Sequence, residues 1–139
     1  MTTIAVVADD LIWSSRLTDA VRRAGAEPRR VGGAAVVLRD TAAALDVDAS
    51  AIASESTAIA GCDGAVVDTA LITADPVAVI RCLRAAGLPV LAVANHDDVG
   101  LRKRALAAGA SKVLAYRKLH DDGPAVIATW MQAAMEAVP

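Results

Sequence analysis

Phenylalanine is absent from this chain, and two tryptophans and one tyrosine are its only aromatic residues. Stacking platforms for nucleic acid bases are therefore poorly supplied, and the core must be built from Ala, Val, Leu and Ile with Trp13 and Trp130 as isolated large fillers. Cysteine is nearly as scarce. Cys62 and Cys82 have neither metal-ligand spacing nor the density of a disulfide framework, so both read as small packed hydrophobes of a reducing cytoplasm. Although 55% of residues are hydrophobic and mean hydropathy is +0.45, no apolar run approaches the ~18 to 20 residues that span a bilayer. The first residues also lack the charged, apolar and small-residue succession of a signal peptide. A large excess of charge is missing too: the net charge is −2 and the pI ≈ 5.6, which gives no field to steer a polyanion. Arg22-Arg23, Arg29-Arg30 and Arg102-Lys103-Arg104 read as solvated faces. The expectation is a soluble, cytoplasmic protein that binds neither nucleic acid nor membrane.

What is present is order. At 139 residues the chain fits one domain, 1–139, with a core of its own. Ile4 to Val7 reads as a buried strand, and Leu17, Ala20, Val21 and Ala24 give a helix of about three turns, with Ser14 or Ser15 as N-cap and Gly25 as its stop. Between Gly25 and Gly64 the pattern is ambiguous. Arg29 to Val31 and Ala35 to Leu38 both look like strands around a Gly32-Gly33 turn or bulge. Leu38, Ala42 and Leu45 suit one helical face, and Ile52 and Ile59 a second helix capped by Asp48 or Ser50. The stretch exceeds what one strand, one helix and their loops require, so an enlarged segment is expected between about 32 and 62.

Beyond it, a strand ends at Asp68. Asp75-Pro76 then starts a helix bearing Val79, Ile80 and Leu83, which Gly87 closes. Pro89 to Ala94 is a strand, Asp97 or Asp98 caps a helix carrying Leu101, Ala105 and Ala108 before Gly109, and Val113 to Ala115 is the last strand. Pro124 opens a helix striped by Ile127, Trp130, Met131, Ala134 and Val138. Strands apolar throughout, alternating with helices, predict an α/β flavodoxin-like doubly wound sheet of five parallel strands in the order 2-1-3-4-5. In such a sheet the carboxyl ends of strands gather function, and Asp9, Asp10 and Asp68 all fall there. Three neighbouring carboxylates repel unless a cation is shared, and Mg²⁺ suits a few carboxylates plus water and phosphate.

Val6-Val7-Ala8-Asp9-Asp10, Val66-Val67-Asp68 and Ala107-Ala108-Gly109-Ala110, in this order, resemble the receiver domain of bacterial response regulators over essentially the whole chain. The resemblance implies that Asp9, Asp10, Asp68 and the Ala70 backbone carbonyl hold Mg²⁺, and that Asp68 is the phosphoacceptor. It also implies two departures. Ala94 stands where receivers carry Thr or Ser, and Tyr116 where they carry Lys, leaving Arg117 or Lys118 one or two residues away as candidate replacements for the missing cation. Asp10 to Arg16 is similar to a divergent, pseudo-receiver branch that lacks the same groups.

The reading is a stand-alone receiver-like module of two-component phosphorelay signalling, not an enzyme. Its phosphoryl switching is degenerate, and it acts through protein contacts with a histidine kinase, an effector or a second copy of itself. No output domain is expected after the last helix. A working Mg²⁺-dependent phosphoacceptor at Asp68 is the alternative, and a small-molecule-binding flavodoxin-like domain the second. Simpler roles stand beside these: Asp9 and Asp10 as helix caps, Asp68 as a turn residue, and His96 and His120 as solvated side chains.

Overall fold

The computed structural model describes residues 2–36 and 59–136. Its strands are β1 (Thr3–Val7), β2 (Glu27–Val31), β3 (Gly64–Asp68), β4 (Val90–Ala94) and β5 (Lys112–Ala115). The helices are α1 (Leu11–Arg23), α2 (Pro76–Ala85), α3 (Val99–Ala108) and α4 (Tyr116–Glu136). All ladders are parallel, in the order β2-β1-β3-β4-β5, the flavodoxin-like arrangement expected from the apolar strands.

Both faces of the sheet are covered, which is why the strands carry no polar alternation. Ala5, Val7, Ala65, Val67, Val90 and Ala92 pack with Val79, Ile80 and Leu83 of α2 on one face. Ile4, Val6, Val66, Leu91, Val93 and Leu114 pack with Leu17 and Val21 of α1 and Ile127 and Trp130 of α4 on the other.

The structure decides the first part of the ambiguous region. Glu27–Val31 is the second strand, whereas residues 33–36 are helical, so Ala35 and Val36 are not strand. β2 lies at the sheet edge and only Val31 in it is buried. An edge position tolerates Pro28 and the two arginines, which removes the apolar signature a central strand would have. Gly32-Gly33 is accordingly a strand-to-helix junction rather than a bulge. The expected helical faces around Leu38, Ala42, Leu45 and Ile52, with most of the enlarged segment, lie outside the described residues; Ile59 is buried in the core.

One helix cap differs from expectation, and a helical segment not expected precedes the helix that Pro124 opens. The N-cap of α1 is Asp10, whose side chain accepts from Trp13 N–H, and Ser14 is buried inside the helix. α4 begins at Tyr116, directly after β5. Asp122 interrupts it with non-helical angles (φ −133, ψ 21), and Pro124 follows inside the helix. Asp75 and Asp98 cap α2 and α3, and Gly87 (φ 85) and Gly109 (φ 119) end them in the left-handed region that favours glycine.

Candidate functional site

The order of the sheet reverses between β1 and β3, and the segments leaving these two strands carry the acids. Val7 is paired with Val67, so Ala8-Asp9-Asp10 and Asp68 emerge side by side.

Asp9 is bound entirely by the protein. Its Oδ2 accepts from the N–H groups of Ile72 and Thr73, both at 2.8 Å, and from the Thr73 hydroxyl at 2.9 Å, while Oδ1 accepts from Gly33 N–H at 3.3 Å. Partial burial pushes its carboxyl upward, but the donors from Thr73, Ile72 and Gly33 outweigh that and hold it below the usual carboxylate range. Asp9 therefore staples the loop after β3 to the junction after β2. Asp10 has the simpler role anticipated for it, capping α1 at 3.0 Å.

Asp68 is fully buried. Its Oδ1 accepts from Ala70 N–H at 3.1 Å, a turn contact, and from the Tyr116 hydroxyl. Its Oδ2 is buried without a hydrogen-bond partner. Burial, then the hydrogen bond and charge of Asp68, push the Tyr116 phenol far above its ordinary value, with the Thr69 hydroxyl and Ala70 N–H acting in the opposite sense. The Tyr116 ring lies 4.5 Å from that of Trp13, tilted by 48°, and the Arg16 guanidinium lies 4.9 Å from the Trp13 ring centre. Arg16, Trp13 and Tyr116 thus form a chain of contacts in which Tyr116 is the member that bonds the carboxylate.

The position just after β5 that departs from the receiver pattern is not empty of chemistry. Tyr116 supplies a neutral donor where a lysine would supply a cation. Lys118 does not take the lysine's place, because it pairs with Asp122 at 2.8 Å on the surface, and Arg117 is exposed. Ala94 is fully buried at the end of β4, while Asn95 and His96 beyond it are exposed, His96 facing Asp97 at 2.9 Å. The nearest hydroxyl in sequence to Asp68, that of Thr69, donates to the Val93 carbonyl at 2.8 Å. Thr69 and Thr73 carry no sequence signal, since their partners come from other strands and loops.

A receiver's Mg²⁺ would take Asp9, Asp10, Asp68 and the Ala70 carbonyl. Here both oxygens of Asp9 are committed to four donors, one oxygen of Asp10 to α1, and Asp68 is sealed beneath Tyr116. Among the described residues no group of three or more His, Cys, Asp and Glu is placed to hold a metal ion. As arranged, these acids do not form a shell for a divalent cation. An open cleft of about 1180 Å³ exists at the opposite, amino edge of the sheet, beside Gly87, Lys112 and Trp130, and none of the three aspartates lines it.

No family model and no curated protein matches the chain. Solved structures do. A protein described as a response regulator from Chloroflexus aurantiacus J-10-fl superposes with TM-score 0.69 at 18% identity, covering 94% of this chain and 98% of that one. The signal receiver domain of a modulated diguanylate cyclase from Desulfovibrio desulfuricans G20 gives 0.67 at 19% identity, with 97% of each chain covered. The signal receiver domain of a signal transduction histidine kinase from Syntrophus aciditrophicus gives 0.66 at 17% identity, covering 99% and 92%. The chain has the receiver-domain fold, with a sequence far from these examples.

Proposed function

We propose that the protein is a receiver-fold signalling module, a single domain with added chain between about 32 and 62, in which phosphoryl switching has been abandoned and output passes through protein contacts. The observation that carries this reading is Asp68: fully buried, with one oxygen held by the Tyr116 hydroxyl and the Ala70 N–H. In-line attack on a phosphodonor requires the nucleophilic oxygen to meet the phosphorus with a cation beside it. Neither approach nor cation is supplied by this arrangement, and Asp9 is occupied as a loop staple. The likeness to receiver domains supports partners of the two-component kind, a histidine kinase, an effector or a second copy of this chain. The scarcity of cysteine supports a reducing, cytoplasmic setting.

The test is incubation with Mg²⁺ and a small phosphodonor, or with beryllofluoride, followed by intact mass and size-exclusion analysis. The expected result is no adduct and no change in oligomeric state. A stoichiometric adduct that disappears in Asp68→Ala would restore the working phosphoacceptor.

A further inference from the structure

We propose that residues 116–122 form a flap over the carboxyl edge of the sheet, latched shut by the Tyr116 hydroxyl on Asp68 and opening as a unit about Asp122. This device rests on the reading above, because an opening flap would be the conformational change that a protein partner selects in place of phosphorylation.

Three observations define the moving piece. β5 passes into α4 with no loop, so the covalent link of the piece to the sheet is Ala115, and its other ties are the side chains of Tyr116 and Leu119. Asp122 has non-helical angles and Pro124 lies two residues on; a proline has no N–H to give to the preceding turn, so the helical ladder is broken at this point. Residues 116–122 are therefore a helical segment distinct from the long amphipathic part of α4 that carries Ile127 and Trp130.

Its anchorage is thin. Within 116–122 only Leu119 is buried and Tyr116 half-buried, while Arg117, Lys118, His120, Asp121 and Asp122 are exposed. The ion pair between Lys118 and Asp122 is internal to the segment and surface-exposed, so it stiffens the flap without fastening it to the body. Fastening falls to Leu119, to the Tyr116 ring against Trp13, and to the hydroxyl on Asp68.

What lies beneath the latch makes opening accessible. Asp68 Oδ2 is buried with no partner, and a buried polar atom left unpaired costs free energy that water would return. In the closed state the phenol bond to Oδ1 is set against that orphaned oxygen. In the open state both oxygens are hydrated. The two contributions oppose one another, which is what a two-state element requires.

Native-state hydrogen exchange by mass spectrometry on the full chain tests the flap directly. In the unmodified protein, amides of 116–122 should exchange through a local opening insensitive to low denaturant, while those of β1 and β3 exchange only on global unfolding. Tyr116→Phe keeps the ring and removes the latch; 116–122 should then exchange about 10 to 100 times faster, the factor expected for one hydrogen bond to a charged group, with β1 and β3 unchanged. Asp68→Asn should act in the same direction. Carbodiimide coupling of a small amine, mapped by peptide mass, should tag Asp68 faster in Tyr116→Phe than in the unmodified chain. Exchange of 116–122 in step with the strands in the unmodified protein overturns the flap, as does equal protection of 116–122 in Tyr116→Phe. An Asp68 phosphoryl adduct would instead overturn the functional reading and leave the exchange result standing.

Discussion

At the scale of single residues, the three acids each have a separate structural task. Asp9 is the plainest case. Asp9→Ala would leave four donors to find water at the loop surface, and a cost of roughly 1–3 kcal/mol is expected in urea unfolding. Because its folded carboxyl lies below the ordinary range, the contribution of Asp9 is complete above about pH 4 and is lost as the pH falls through the lower, folded value. Asp9→Asn should therefore narrow the difference between stability at pH 6 and at pH 3. Tyr116 behaves in the opposite sense. A phenol raised by burial and by Asp68 favours the neutral form in the folded protein, so its contribution is whole below about pH 10 and fades as the pH rises beyond it. It is the only tyrosine in the chain, so phenolate absorbance reads it alone. Ionisation should begin well above pH 10 and move down in Asp68→Asn, while an ordinary titration in the unmodified protein would refute the buried contact.

At the scale of elements, what was legible in the sequence is what is local. Asp75-Pro76, Gly87 and Gly109 mark helix ends through their own backbones, and β1, β3 and β4 announce themselves because a strand covered on both faces must be apolar. β2 was obscure because an edge strand with one buried residue has no such requirement. Pro124 opens the long part of α4 as expected, just past the interruption at Asp122; what had no signal was the short helical segment from Tyr116 that precedes it. The site was half legible for the same reason. Asp9, Asp10 and Asp68 could be found from strand ends, but the hydroxyl of Tyr116 meets Asp68 across 48 residues and Thr73 meets Asp9 across 64, contacts that exist only once the sheet is assembled. Packing at the start of β3 offers a check at this scale. A Cβ on Gly64 would lie 3.1 Å from the Trp130 ring, 3.3 Å from Ile4 and 3.4 Å from Pro89. Gly64→Val should cost about 1–3 kcal/mol by overpacking, visible as a lower thermal midpoint, and Gly64→Ala less.

At the scale of the whole molecule, the sheet keeps its two edges apart. The carboxyl edge carries Asp9, Asp68, Tyr116 and Trp13, and the amino edge carries Gly64, Ser111 and Trp130, whose indole N–H donates to the Ser111 hydroxyl at 2.9 Å. Since both oxygens of Asp9 and one oxygen of Asp10 accept from protein donors and Asp68 is fully buried, the thermal midpoint should be the same in millimolar Mg²⁺ and in EDTA. A rise of several degrees with Mg²⁺ would mean that the ion binds the folded state and displaces those donors. The placement of the two tryptophans has an optical consequence as well. With no phenylalanine and a single tyrosine lying against Trp13, light absorbed by the phenol passes to one indole at one end of the sheet. A Trp130→Phe variant would leave Trp13 as the single indole, so the chain needs no added label for a fluorescence assay of movement at Asp68.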